Sequence, residues 1–221
     1  MKKQYLHSDY PSVTQVLTAL RKISLENWFK YNTLQYINEK SGKGKIIGTQ
    51  IHEAIQKNIE KEKIELETEY PQEVKNAIKS FFLFKKEHPE IKLKKAEIQI
   101  TSGKYKYNGT LDCLADQGKE LILLDWKTGE AKEKDYPPIY SEHIYQAAAY
   151  VKGYNEMFKT NIEKAYIAVL AKDKIAYNLN DGGKLTLNAE IIHRVFKEVF
   201  LPALKIYNFQ KKEKEVLWSG K

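Results

Sequence analysis

A short apolar run that ends in charged residues constrains the fold of this chain more than any other feature. The run is Leu121-Ile122-Leu123-Leu124, and it follows a Gly-Lys-Glu turn signal. An apolar segment this short, bounded by a turn, is typical of a strand buried on both faces rather than of an amphipathic helix. We therefore predict a central β-strand at this point of the chain.

The residues that end this strand carry opposite charges. Because side chains alternate along a strand, Asp125 and Lys127 are expected on one face and Trp126 on the other. The chain then breaks at Thr128-Gly129, where a turn is expected. The pattern therefore brings one carboxylate and one ammonium together on the same face of the predicted strand.

A second carboxylate is expected from the neighbouring strand. The segment 104–114 alternates polar and apolar residues and contains Asp112, which predicts an antiparallel partner of the central strand. Asp112 and Asp125 can then meet across the predicted sheet. Two carboxylates and one ammonium would share a single site.

These residue types are the ones that phosphodiester hydrolysis requires. The reaction needs a hard divalent cation on oxygen ligands, a water made more acidic, and positive charge near the transition state. Mg²⁺ or Mn²⁺ shared by Asp112 and Asp125 would meet the first two needs, while Lys127 would orient the water or offset developing charge. For an isolated Asp-x-Lys triplet, the alternative is a strand-end ion pair with a solvated lysine.

Three further segments carry polar side chains that could join the same site. His52 lies at the border of an apolar helical stripe,. Glu97 lies in a predicted strand, 96–100, on the face opposite its three apolar residues, and is a candidate further metal ligand. Gln146 and Tyr150 stand four residues apart on one helical face. The structural alternatives are a histidine at a packed helix edge, a solvated carboxylate, and polar residues bordering an amphipathic helix.

Taken together, these residues follow the order and spacing of a known family. The motif residues are His52, Asp112, Asp125-Trp126-Lys127 and Gln146-x-x-x-Tyr150. They closely resemble the RecB-like branch of the PD-(D/E)XK nuclease superfamily, and the resemblance extends over roughly residues 10 to 155. The segment 10–17 resembles the start of stand-alone members, including mitochondrial genome maintenance exonucleases and their phage relatives.

The resemblance implies an α/β fold with a restriction-endonuclease-like core, in which helices flank a central mixed β-sheet. At 221 residues with 42% hydrophobic content, the chain can bury one sizeable core. We expect one nuclease domain over residues 1–221, with its motif-bearing core at about 45–180. N- and C-terminal helical additions are expected at 10–40 and 186–212.

The resemblance also implies a role for each motif residue. The groups that would hold Mg²⁺ or Mn²⁺ are His52, Asp112, Asp125 and the main-chain carbonyl of Trp126. Lys127 would be the catalytic lysine, acting beside Asp112 and Asp125. Gln146 and Tyr150 would lie close to the DNA.

The implied activity is metal-dependent DNA exonuclease cleavage by a metal-activated water, in replication, repair or recombination. Two alternatives stay open: an endonuclease of the same fold that cuts at branches or flaps, and a DNA-binding module with an inactive site. The net charge of +8 favours a polyanionic partner, and fifteen tyrosines with three tryptophans offer stacking surfaces for unpaired bases,.

Several functional classes are excluded by what the sequence lacks. Cys113 is the only cysteine, so the four-cysteine iron–sulfur cluster of some RecB-like nucleases cannot form,. No G-x-x-x-x-G-K-[ST] phosphate loop occurs, so no ATP-driven motor is expected,. No apolar run approaches the length of about 20 residues that a membrane span needs. Since the start also lacks a secretory apolar core, we expect a cytoplasmic protein, with a phage origin compatible with the resemblance.

Three local patterns predict the ends of elements. Ser12 and Gln15 have the spacing of a capping box that starts a first helix,. The glycine-rich basic segment 41–45 predicts a flexible loop before the His52 helix. Asn188 is expected to cap a long amphipathic helix, with a kink at Pro202.

Overall fold

A five-stranded mixed β-sheet forms the centre of the described part of the molecule. The computed structural model describes residues 6–21, 26, 29–61 and 70–218. The strands are β1 (Ile91–Ser102), β2 (Tyr107–Gln117), β3 (Glu120–Gly129), β4 (Ala165–Ala171) and β5 (Tyr177–Leu179). Their order in the sheet follows the chain; β3 and β4 are parallel, and all other neighbours are antiparallel. The predicted mixed sheet is confirmed.

Helices cover both faces of this sheet. They are α1 (Val13–Val16), α2 (Leu34–Ile59), α3 (Gln72–Glu87), α4 (Ser141–Phe158), α5 (Ala189–Val195) and α6 (Leu201–Trp218). A 3-10 turn, Leu17–Ala19, follows α1, and a π-helical turn, Phe196–Phe200, joins α5 to α6. No helix among the residues described is both long and apolar enough to cross a membrane.

Among the described residues, the core consists of two hydrophobic clusters, one on each face of the sheet. The α4-side cluster includes Leu123 of β3 together with residues of α1, α4 and the C-terminal helices. The α3-side cluster includes Leu124 and Trp126 of β3 together with residues of α2 and α3. Neighbouring residues of β3 therefore pack into opposite clusters, as the prediction of a strand buried on both faces requires.

The segment 41–45 is helical, so the predicted flexible loop is wrong. It lies within α2, whose first turn is capped by the Thr33 hydroxyl, which accepts a hydrogen bond from the main-chain N–H of Tyr36. Each glycine in a helix interior costs about 1 kcal/mol relative to alanine. Buried Ile37 and Ile47 anchor the helix on either side of the glycines, and such packing overrides weak local propensity.

Strand β1 changes faces at Glu97, which has a left-handed backbone conformation with φ of 50°. Ala96 packs in the α3-side cluster, whereas Ile98 packs in the α4-side cluster. The expectation that these alternating apolar residues share one face is therefore wrong, because a left-handed residue interrupts the alternation of a strand. In β2, Leu111 and Cys113 show the same change of cluster. On both strands of the β1–β2 hairpin, the apolar side chains therefore switch from one face of the sheet to the other at this point.

Two predicted helix starts are confirmed. The Ser12 hydroxyl accepts from the main-chain N–H of Gln15, and the Gln15 side chain accepts from the Ser12 N–H. The Asn188 side chain accepts from the first turn of α5. Near Pro202, the irregularity takes the form of the π-helical turn at 196–200, a feature that is a known cause of helix bends.

Candidate active site

Strand β3 places Asp125 and Lys127 side by side on the face toward α4. The Lys127 Nζ atom lies 2.6 Å from Asp125 Oδ2, and the Asp125 side chain is fully buried. Trp126 points to the other face, where its ring packs edge-on against Phe81 and Phe84 at 5.3 and 5.1 Å between centroids. The indole therefore holds β3 in place from behind the two charged groups.

Asp112 approaches the same ammonium from the antiparallel strand β2. Its Oδ2 atom lies 3.9 Å from Lys127 Nζ and accepts a hydrogen bond of 2.8 Å from the main-chain N–H of Trp126. Lys127 Nζ also donates to the Trp126 carbonyl oxygen at 3.2 Å. Asp112, Asp125 and this carbonyl oxygen thus surround one lysine.

His52 and Glu97 complete the cluster from two other elements. His52 Nδ1, on α2, lies 3.7 Å from Asp112 Oδ1 and 4.0 Å from Glu97 Oε1. One potential ligand atom from each of these three residues lies within 4.8 Å of the others. The left-handed backbone at Glu97, where the hairpin changes faces, brings the Glu97 carboxylate next to His52 on α2.

Gln146 and Tyr150 lie together on α4. The Gln146 side-chain amide donates to the Tyr150 hydroxyl at 2.7 Å, and Tyr150 is only 4% exposed. Burial, reinforced by the negative charges of Asp125 and Asp112, raises the pKa of Tyr150 far above its usual value. The phenol therefore stays protonated beside the acids.

Gly109 is a site residue that the sequence interpretation missed. A Cβ atom added there would lie 2.7 Å from Tyr150 Cε1, so only glycine lets β2 pass beneath the tyrosine ring. Glycine inside a predicted strand often marks a close approach by another group. That signal is present in the sequence, but it does not say which group approaches.

The acids of the cluster are held in conditions that disfavour their charge. Burial raises the pKa of Asp125 to about 7 against the opposing charge of Lys127. Burial likewise raises the pKa of Asp112. Burial and the neighbouring Asp112 charge raise the pKa of Glu97 to about 7. Without an added cation, the single positive charge of Lys127 must balance the negative charges of three carboxylates.

The two basic groups respond in opposite directions. Burial and the nearby Lys127 charge lower the pKa of His52 to about 4, so its imidazole is neutral and keeps a free lone pair at neutral pH. Burial works against the Lys127 ammonium, but the charges of Asp125 and Asp112 together raise its pKa. A neutral imidazole is the form that binds metal ions.

The cluster has the chemistry of a divalent cation site. Neither carboxylate oxygen of the buried Asp125 accepts an aligned hydrogen bond from the described residues, although Oδ2 makes its close ion-pair contact with Lys127. Burying such oxygens without hydrogen bonds is costly. Oxygen donors together with one imidazole nitrogen suit Mg²⁺ or Mn²⁺. The residues present therefore fit the predicted ion.

One family model and two solved structures show what this chain is similar to. Residues 26–215 match the sequence model of the PD-(D/E)XK nuclease superfamily. No curated protein matches the sequence. Among solved structures, an alkaline exonuclease (LHK-Exo) from Laribacter hongkongensis is similar over 92% of both chains, with 13% identity and a TM-score of 0.42. The protein SSO0001 is similar over 58% of this chain, with 18% identity and a TM-score of 0.29; the match covers 59% of that protein's length.

Proposed function

The chain belongs to the PD-(D/E)XK nuclease superfamily, and on that premise we propose that it is a metal-dependent deoxyribonuclease that hydrolyses phosphodiester bonds. One observation carries this proposal: three carboxylates, one imidazole and one ammonium converge from four elements. The converging residues are His52, Glu97, Asp112, Asp125 and Lys127. Such a concentration of buried charge has no role in stabilising a sheet, because an uncompensated buried acid is destabilising.

A divalent cation would be held by side chains from four elements and by one main-chain carbonyl. The proposed ligands are His52, Asp112, Asp125 and the Trp126 carbonyl oxygen, with Glu97 as a further ligand. Of these, His52, Glu97 and Asp112 each place one ligand atom within 4.8 Å of the others. When bound, Mg²⁺ or Mn²⁺ supplies a Lewis acid that makes a water more acidic and polarises a phosphoryl oxygen. Asp112 is prepared for this role because the Trp126 N–H holds its Oδ2 atom, while its Oδ1 atom faces His52.

Lys127 is proposed as the catalytic lysine. Its raised pKa keeps it protonated, and contacts with Asp125 and the Trp126 carbonyl hold its ammonium in the cluster. A fixed ammonium at this position can orient the attacking water and offset the negative charge that develops on the phosphate. It does so without reorganising during the reaction.

Gln146 and Tyr150 are proposed to contact the nucleic acid. Gln146 is partly exposed on the first turns of α4 and is held by its hydrogen bond to the Tyr150 hydroxyl. Because the Tyr150 oxygen accepts that bond, its own proton is available for a phosphate oxygen or for one of the acids. This pair would form the α4 side of the substrate cleft.

The exonuclease mode rests on the sequence resemblance to stand-alone exonucleases, which act on DNA ends in replication, repair or recombination. The test uses purified protein with Mg²⁺ and four matched substrates: linear and covalently closed circular DNA, each single- and double-stranded. Degradation of linear substrates alone is expected. Cutting of circles would replace the exonuclease proposal with an endonuclease. DNA binding without cutting in either Mg²⁺ or Mn²⁺ would indicate an inactive binding module.

A further inference from the structure

The face of α2 that carries His52 continues away from the cluster for about three turns. Ser41, Lys45 and Gly48 precede His52 by eleven, seven and four residues, the spacing of a single helical face,. With the helical rise of 1.5 Å per residue, they lie about 16, 10 and 6 Å from His52 along the axis. Ser41 and Lys45 are exposed, and Gly48 is partly exposed.

Gly48 leaves bare backbone one turn away from His52. A Cβ atom added at Gly48 would meet no atom within 4 Å. Packing within the described protein therefore does not require glycine here, although glycine weakens a helix relative to alanine. What the missing side chain does provide is room for another molecule to approach the helix backbone beside the cluster.

Lys45 offers an uncommitted positive charge on the same face. No ion pair or hydrogen bond joins its side chain to the part of the protein that the structure describes. Lys43, on the opposite face of the helix, is by contrast paired with Glu73. Lys40 lies over the ring of Tyr36. Of these three lysines of α2, Lys45 is the one that lies in line with His52.

We propose that the phosphate track, formed by Ser41, Lys45 and Gly48, binds the phosphodiester backbone of the strand being cut, next to the cleaved bond. This inference rests on the proposed nuclease function. A polyanionic backbone is the occupant that fits, because the track joins an ammonium, a hydroxyl donor and an open backbone, and runs directly into the cluster at His52.

The first test measures binding without cutting. Full-length protein in EDTA is titrated into fluorescently labelled single- and double-stranded oligonucleotides over a series of salt concentrations. Lys45→Ala is expected to weaken binding about 5-fold at low salt, and to reduce the slope of log Kd against log salt by about 0.7 to 0.9. Lys57→Ala is the matched control, because Lys57 is exposed on the same helix but lies about 140° around it from His52. Equal behaviour of the two variants would overturn the inference.

The second test fills the open space at the track. Gly48→Leu and Gly42→Leu both replace a helix glycine at which an added Cβ would meet no atom within 4 Å, so both are expected to raise the melting temperature. Gly42 faces about 120° away from Gly48 and serves as the control. Only Gly48→Leu is expected to weaken binding and to raise KM about 10-fold or more. A Gly48→Leu variant that is more stable and binds like the parent would contradict the track.

The two proposals fail in different ways. If the parent protein neither binds nor cuts nucleic acid with any metal, the nuclease function fails and the phosphate track fails with it. If the parent cuts DNA, but Lys45→Ala binds as Lys57→Ala does or Gly48→Leu binds as the parent does, only the track fails.

Discussion

The main-chain N–H of Trp126 donates a 2.8 Å hydrogen bond to Oδ2 of Asp112, which joins strands β2 and β3 where their acids meet. The bond uses one oxygen of Asp112 and leaves Oδ1 facing His52 at 3.7 Å. The Asp112 carboxylate therefore has two roles: Oδ2 links the two strands, and Oδ1 is available to the proposed metal site. Substitutions at Asp112 can separate its contribution to stability from its contribution to metal binding.

Asp112→Asn is expected to abolish metal-dependent cleavage while the protein stays folded, because the amide oxygen can still accept from Trp126. Asp112→Ala leaves that N–H without its partner, which costs about 1 to 3 kcal/mol when the group is buried. Thermal unfolding in EDTA should therefore rank the alanine variant below the asparagine variant, with neither cutting DNA. Equal melting temperatures for the two would show that the hydrogen bond contributes little to stability.

Asp125→Asn and Lys127→Ala are each expected to lower kcat/KM on linear DNA by at least about 100-fold, since each removes a group that acts on the transition state. DNA binding in EDTA should change far less. Asp116→Asn is the matched control, because Asp116 lies four residues from Asp112 on β2 and pairs with Lys94 at 3.0 Å. Near-parental cutting by either site variant, with the fold intact, would refute the assigned roles.

The pH dependence of stability reports on the buried Asp125 carboxyl. Its pKa in the folded, metal-free protein is about 7, above its value in an unfolded chain, so the folded state binds the proton more tightly. The stability contribution of Asp125 is thus fully present at low pH and is lost as pH rises from about 4 to 7. In EDTA, the parent should lose stability relative to Asp125→Asn over this window, by at most a few kcal/mol.

Melting curves of the two proteins at pH 5, 6, 7 and 8 check this expectation. Added Mg²⁺ should restore stability to the parent at pH 8 and should do much less for Asp125→Asn, because the cation compensates the charge that the variant lacks. Parallel pH curves for parent and variant would mean that Asp125 titrates normally.

Glu97 combines a proposed ligand with an unfavourable backbone conformation. Its φ of 50° costs a non-glycine residue about 1 to 2 kcal/mol, and such strain is often found at functional sites. Glu97→Gly should therefore be more stable than Glu97→Ala by about 1 kcal/mol, although both lose the carboxylate and are expected to bind metal more weakly. Thermal unfolding and metal titration of the two variants separate strain from ligation. If Glu97→Ala were as stable as Glu97→Gly, the backbone conformation of Glu97 would not be strained.

The central part of this site could be predicted from the sequence because strand alternation is a strict local rule. A buried apolar run ending in Asp125-Trp126-Lys127 fixes which side chains share a face, and the structure has that arrangement. The antiparallel neighbour, whose Cys113 lies opposite Leu124, then brings in Asp112, which accepts from the Trp126 N–H. The family could be inferred only from the order and spacing of all the motif residues together, because no single motif is specific enough.

The features that could not be predicted depend on contacts between distant residues. The helix across 41–45 forms because Ile37 and Ile47 are buried on either side of a glycine-rich segment, although the two glycines of that segment disfavour a helix. The change of face at Glu97 likewise breaks the alternation rule. The close approach of Gly109 to Tyr150 joins residues 41 positions apart in sequence. Local propensity carries no information about such distances.

Gly109 provides a test of how tightly α4 is set against the sheet. In Gly109→Ala, the added methyl group would lie 2.7 Å from Cε1 of Tyr150 and 3.3 Å from Cγ1 of Ile100, so the tyrosine ring must move. Overpacking of this kind costs about 1 to 3 kcal/mol. Because the displaced ring also carries the hydroxyl bonded to Gln146, cleavage should fall further than stability alone explains.

The matched control is Gly103→Ala, in the turn between β1 and β2, where an added Cβ would have only Glu156 Oε1 near it, at 3.9 Å. Its melting temperature and cutting should stay close to those of the parent. For Gly109→Ala, a drop of several degrees is expected, together with a lower kcat at saturating DNA. If Gly109→Ala instead unfolds and cuts like Gly103→Ala, then α4 can shift without disturbing the reaction, and the Tyr150 hydroxyl cannot be a positioned part of the site.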